Sequence, residues 1–249
     1  MRIRKKAPKP AAAKPPLYMI GYRFSAPSPD ELTIWYDLEY GGPLALRTSA
    51  HAHALSAGHG PWHAWLTIAL PEDEAQSLSL QAAWDHRNVG IVSPAVAAPN
   101  MVADTVLFAA RLARGLTLLT QGTALDPVTQ RYSNPSDWSD RPLALFQLRD
   151  HVEVTQGEVE DPGRDWFHTA GMSKFGLDEL ELWQPKGLPA DSPMQVLNGA
   201  ADQIFRQGHN PKVGSSLTIP SLGRTISIDN HRTVAMQQTQ WTFRRVAAE

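Results

Sequence analysis

Proline and glycine interrupt this chain so often that a long-helix architecture does not fit it. Twenty prolines and seventeen glycines are spread over 249 residues. Proline cannot continue a helix or donate into a sheet, and glycine favours turns, so short elements joined by many turns are expected. Apolar residues make up 42% and charged residues 19%, ordinary proportions that allow a buried core.

The absence of cysteine excludes disulfides, thiolate metal ligands and cysteine nucleophiles. No apolar run reaches the roughly 18 residues that a membrane span requires. The basic start Met1–Lys6 leads into Ala7-Pro8-Lys9-Pro10 rather than an apolar segment, so a cytoplasmic location is expected. Residues 1–16 hold six basic residues and no acid. The rest of the chain then has 17 basic and 25 acidic residues, or −8 against −2 overall. A basic tail on an acidic body is not a folded nucleic-acid-binding face, and any nucleic-acid contact is expected through the tail alone.

Residues 1–16 are expected to be disordered, because a Lys/Pro/Ala segment without aromatics buries too little area to offset ordering entropy. Leu17–Phe24 reads as a central strand, apolar on both faces. Leu32–Tyr40 is aromatic-rich, and propensity favours a strand there, with a helix as the open alternative. Residues 47–63 read as a loop and Trp65–Leu70 as a buried strand. Pro71-Glu72-Asp73-Glu74 reads as the start of a helix reaching about Trp84, and Val89–Val92 as a strand. In Pro99–Gly115, Val102, Val106, Ala109, Ala110 and Ala113 form a helical stripe. Asp104, Arg111 and Arg114 lie opposite the stripe, and Gly115 is the expected stop. Leu116–Leu119 would then be a strand, giving a βαβαβ-like order.

Thr123–Pro142 is polar and turn-rich. Leu143–Val159 and Asp165–Thr169 read as strands. Leu180 and Leu182 alternate with Glu179 and Glu181, which predicts a strand with one buried and one wet face. Ser192, Pro193 and Gln195 suggest a capping box for a helix closed by Gly208. Leu217–Ile219 and Thr225–Ile228 suggest a hairpin. The expected fold is α+β: a mixed, largely antiparallel sheet with a βαβαβ-like N-terminal half and at least three packed helices. Residues 17–233 are read as one domain, with two lobes meeting near 120–142 as the alternative. Residues 234–249 are read as a C-terminal extension.

Gly171-Met172-Ser173-Lys174-Phe175-Gly176 followed by Asp178-Glu179-Leu180-Glu181-Leu182 resembles a pattern found in bacterial proteins catalogued as domain of unknown function 4261. The likeness covers residues 165–230 and continues through the helix and the hairpin that opens at Gly214. It implies no activity, cofactor or catalytic residue.

Four histidines, His51, His53, His59 and His63, are the metal candidates. A His-Xaa-His pair on a strand projects both imidazoles to one side, which suits zinc or, without carboxylates, copper or nickel. The bland alternative is an exposed loop that carries histidines. His168, beside Asp165 in sequence, is a candidate general base without an evident nucleophile. Lys174 in its turn and Glu179 and Glu181 on their wet face read as solvated groups open to a partner. Trp138 is a loop tryptophan of the kind enriched at binding hot spots. The candidate binding residues are thus Trp138, His168, Lys174, Glu179 and Glu181, and neither a catalytic set nor a cofactor is expected. The function these features suggest is a non-enzymatic, protein-binding or regulatory, immunity-like bacterial protein. The alternative is a metal-dependent hydrolase using the histidine loop.

Overall fold

The first strand, β1 (Tyr18–Tyr22), is buried along its whole length, because it lies inside a sheet with a helix on it. The computed structural model describes residues 17–49, 54–70, 88–95, 101–158, 161, 163–236 and 239–248. The expected helix over 71–84 lies outside them.

α1 (Pro29–Tyr40) follows β1. The strand favoured for Leu32–Tyr40 is therefore a helix. Ser28 caps it with the reciprocal Glu31 bond, Pro29 fills the first turn and Gly41 closes it at φ 75°. These end signals outweigh the strand propensity of its aromatics. Leu32 and Tyr36, one turn apart, are its buried residues.

The stretch expected to be a loop instead supplies β2 (Ala45–Thr48), β3 (Leu55–His59) and the start of β4 (Trp62–Leu70). Its small residues have weak strand propensity, but cross-strand pairing holds them in the sheet. β5 (Asn88–Pro94) comes next, then α2 (Val102–Thr120).

Fourteen of the 19 residues of α2 are buried, so the helix is enclosed rather than laid on the surface. Gly115 does not stop it. A Cβ there would meet the Trp35 ring at 2.5 Å, so this glycine lets α1 and α2 approach closely. The helix runs through Leu116–Leu119, the expected strand, and ends at Gln121 in the left-handed region. Arg111 and Arg114 are buried too. Arg111 donates to the carbonyls of Leu143 and Ala144. Arg114 donates to the Trp138 carbonyl and to Glu39. Both anchor the chain that crosses the helix.

β6 (Thr123–Asp126), β7 (Arg131–Ser133) and the short α3 (Pro135–Ser139) complete the first half. The sheet order is β2-β3-β4-β5-β1-β6-β7, with every pairing antiparallel. The expected βαβαβ is thus met only in part. β5 and β6 flank β1, both antiparallel to it, and so run parallel to each other on either side of α2. β4 and β5 run antiparallel.

In the second half, Leu148–Asp150 is a single 3-10 turn, and among the described residues of the expected long strand only Glu153–Gly157 is extended, as β8. β9 (Arg164–Ala170), β10 (Glu179–Pro185), α4 (Asp191–Gln207), β11 (Ser216–Ile219), β12 (Arg224–Met236) and β13 (Thr239–Ala248) follow. They form a sheet of order β11-β12-β13-β10-β9-β8. The β11–β12 hairpin is in place. α4 begins one residue before the expected cap: Ala190 precedes it without a side-chain bond, while Gly208 closes it at φ 70°. β13 joins β10 in parallel.

The fold is α+β: the described residues form four helices with two mostly antiparallel sheets. No helix among the described residues is long and apolar enough to cross a membrane. Two apolar clusters form, one drawn from residues 17–143 and one from 148–246, with Phe146 and Phe175 packed against both.

His151 sits where the clusters meet, stacked on Phe146 at 5.1 Å. Neither of its ring nitrogens has a partner among the described residues. Burial, followed by the charges of Lys174 and Arg141, pushes the imidazole down from 6.5 to about 3. The folded chain keeps it neutral while the unfolded chain takes up a proton. Its contribution is therefore complete above pH 6.5 and is lost as pH falls from there toward about 3. The steepest loss is about 1.4 kcal/mol per pH unit. Urea denaturation at neutral and mildly acidic pH should show this slope in the native chain and a shallower one in His151→Phe. An identical slope in both would contradict the assignment.

Candidate functional site

The strands of the second sheet alternate between two very different faces. Phe167, Leu180, Leu182, Ile228 and Val246 face α4 and join its apolar stripe of Val196, Leu197, Ala200, Ala201 and Ile204. The opposite face carries Trp166 and His168 from β9, Glu179, Glu181 and Trp183 from β10, Trp241 and Phe243 from β13 and Arg232 from β12. Pairing brings them together: Trp183 lies opposite Trp166, Glu181 opposite His168, Glu179 beside Phe243 and Arg232 opposite Phe243.

The rings form a continuous layer. Trp166 and Trp183 stack at 6.0 Å, and Trp241 and Phe243 at 6.0 Å. His168 lies 4.3 Å from Trp166 and 6.2 Å from Trp241. On the neighbouring β8, a Cβ on Gly157 would meet the Trp166 ring at 2.3 Å, so the indole lies directly on the strand backbone. Arg232 sits over this layer, with Cζ 5.8 Å from the ring centres of Trp166, Trp183 and Phe243.

Glu181 organises the layer. It is 1% exposed. Arg232 grips it bidentately, Nε to Oε1 at 2.8 Å and NH2 to Oε2 at 2.5 Å. The Trp166 Nε1 donates to Oε2 at 2.9 Å and the Trp183 Nε1 at 3.4 Å. A carboxylate buried this deeply needs such donors, because leaving it unpaired would cost several kcal/mol.

Glu179 is equally buried and serves a different end. Its Oε1 accepts from the backbone N–H groups of Gly171 and Ser173, each at 3.0 Å. Its Oε2 accepts from Thr169 Oγ1 at 2.8 Å and from the Met172 N–H at 3.2 Å. It staples the Gly171–Gly176 turn, and Gly171 at φ 121° has the backbone that turn requires.

The wet strand face expected for Glu179 and Glu181 is thus a correction. Both carboxylates are inside, because bound donors and aromatic rings replace water around them. Lys174, expected to be solvated, is a second correction. Its side chain is fully buried. Its ammonium pairs with Asp126 and donates to the His151 carbonyl at 2.9 Å, tying the second half of the chain to β6. Trp138 is a third. It lies on α3 and is buried edge-on against Tyr18 at 6.3 Å. His168 is buried as well, and burial holds its imidazole below the ordinary range. Its Nδ1 bonds to the Thr169 carbonyl, which orients the ring and supplies no nucleophile.

Of the four candidate histidines, the two among the described residues, His59 and His63, are not brought together. His59 is paired with Trp62 and His63 with Gly58, so the two imidazoles leave opposite faces of the hairpin. His59 turns inward to the Tyr36 hydroxyl at 2.9 Å, while His63 is exposed. His51 and His53 lie outside the described residues. No group of three or more His, Asp and Glu side chains among the described residues could hold a metal ion.

Chemically, the face combines internally paired carboxylates with aromatic and cationic groups. Glu179 and Glu181 already accept several donors each. The groups at its surface are Trp183 and Trp241, both half-buried, and the guanidinium of Arg232, whose side chain is 37% exposed. Sequence reasoning did not assign Trp166, Trp183, Trp241, Phe243 and Arg232 to one site. The i, i+2 spacing of Trp166/His168 and Trp241/Phe243 marks each pair as sharing a face, but only strand pairing unites them.

Comparison with protein-family models, curated proteins and solved structures finds no match.

Glu179→Gln should lower unfolding stability by about 1–3 kcal/mol, because an amide N–H would then face backbone donors. Urea denaturation measures it, and an unchanged midpoint would show that the turn does not depend on the carboxylate.

Proposed function

We propose that this chain is a binding protein that recognises another protein through the tryptophan and arginine face of the second sheet. The observation that carries the reading is the Glu181 network, which fixes two indoles and a guanidinium while part of each chemistry stays at the surface. Tryptophan and arginine dominate interface hot spots, and holding them in place before contact reduces the ordering cost of association. The saturated carboxylates support binding over acid–base catalysis. The resemblance to domain of unknown function 4261 adds no activity to this reading. We place the protein in a bacterial cytoplasm, in a regulatory or immunity-like role.

The untagged chain, purified gently from its native cells, should carry a stoichiometric protein partner. Trp183→Ala combined with Trp241→Ala should weaken that association at least about 30-fold, equivalent to one hot spot of ~2 kcal/mol, while circular dichroism stays native. A chain that elutes alone under all conditions, or a partner bound equally by the double variant, would refute the proposal.

A further inference from the structure

In the first half, α1 is apolar on both of its sides. Leu32 and Tyr36 face inward and are buried. Ile34 and Leu38 are 61% and 84% exposed. At about 100° per residue, Ile34 and Leu38 lie one turn apart on the side opposite Leu32 and Tyr36. A helix that is apolar all round belongs in an interior, yet these two side chains face solvent. Adjacent exposed aliphatics on an otherwise ordered helix mark a contact surface.

The same outward arc of the helix, about 120° wide, also carries Asp30, Glu31 and Asp37. Asp30 and Glu31 are exposed and Asp37 is half-buried. Glu31 accepts from the Ser28 N–H and Asp37 from the Leu44 N–H, each at 2.7 Å. Those donors are neutral, so three negative charges border the two aliphatics without a paired cation among the described residues. Glu39, the fourth acid of α1, lies outside the arc and pairs with Arg114 at 2.8 Å. The helix has no basic residue. Aliphatics at i and i+4 flanked by acids on both sides complement a helix with aliphatic anchors and flanking cations. A second copy of α1 would bring three more acids into the contact, and like charges disfavour that pairing.

We propose that the outward face of α1 docks a basic amphipathic helix of another protein, its aliphatic side chains on Ile34 and Leu38 and its lysines or arginines beside Asp30, Glu31 and Asp37. This contact is separate from the tryptophan and arginine face of the second sheet, so Trp183→Ala with Trp241→Ala should leave it intact.

The test is calorimetric titration of the full chain with a synthetic helical peptide of about 18 residues, with leucine along one helical stripe and lysine elsewhere. A matched peptide with glutamate in place of lysine is the control. The lysine peptide should bind saturably below about 100 μM and weaken with added salt, and the glutamate peptide should not bind. Ile34→Ser with Leu38→Ser should weaken binding at least about tenfold. Both residues are exposed, so native circular dichroism is expected. Leu188→Ser, at an exposed leucine outside α1, should leave the affinity unchanged. No saturation by about 1 mM, equal binding of the two peptides, or equal affinity in the native chain and the double variant would each overturn the proposal. Self-association of the chain that the double variant abolishes would put a second copy on the face and overturn it too. So would tighter peptide binding by the full chain carrying Arg2→Ser, Arg4→Ser, Lys5→Ser and Lys6→Ser, which would put its own amino-terminal segment there.

Discussion

A carboxylate with almost no access to water dictates the geometry of the second sheet. Glu181 is stable inside only because Arg232 and two indole N–H groups reach it, and each donor comes from a defined strand position. A slip of β10 by one residue would turn Glu179 and Glu181 into the apolar layer under α4 and expel Leu180 and Leu182. The register is therefore specified twice, by leucines seeking apolar contact on one face and by carboxylates seeking donors on the other. The same alternation stacks Trp166, Trp183 and Phe243 into one layer.

Glu179 links this sheet to the rest of the molecule. By gathering the amides of Gly171, Met172 and Ser173, it shapes the turn that carries Lys174 back to Asp126 on β6. Phe146 and Phe175 pack against both apolar clusters at the same junction. Two polar ties, Lys174 with Asp126 and Arg131 with Glu153, and two shared aromatics thus connect the halves among the described residues, with the neutral ring of His151 among them.

Much of the fold is legible in the residues, and the exceptions have physical causes. Strong periodicity marks α2 and α4, and alternation marks β4, β9, β10 and the β11–β12 hairpin. α1 is misread when its aromatics are weighed above Ser28, Pro29 and Glu31, whose capping bonds decide the outcome. Gly115 looks like a stop, yet its lack of a side chain serves the close approach of Trp35, a tertiary reason invisible along the chain. Charged residues mislead most. Arg111, Arg114, Lys174, Glu179 and Glu181 read as solvent-facing because partners far away in sequence, such as Arg232 for Glu181, are what make their burial tolerable. For the same reason the candidate surface stays hidden until β9, β10, β12 and β13 are placed side by side. Within the histidine motif, residues close in sequence across a hairpin, His59 and His63, leave on opposite faces.

The account depends on Glu181 and Arg232 behaving as a buried, geometry-setting pair rather than a surface one. A double-mutant cycle with Glu181→Ala and Arg232→Ala, followed by urea denaturation, measures their coupling directly. The account predicts a coupling of about 2–5 kcal/mol, in the range of desolvated charge pairs. A value of about 0–1 kcal/mol, typical of exposed ion pairs, would contradict it.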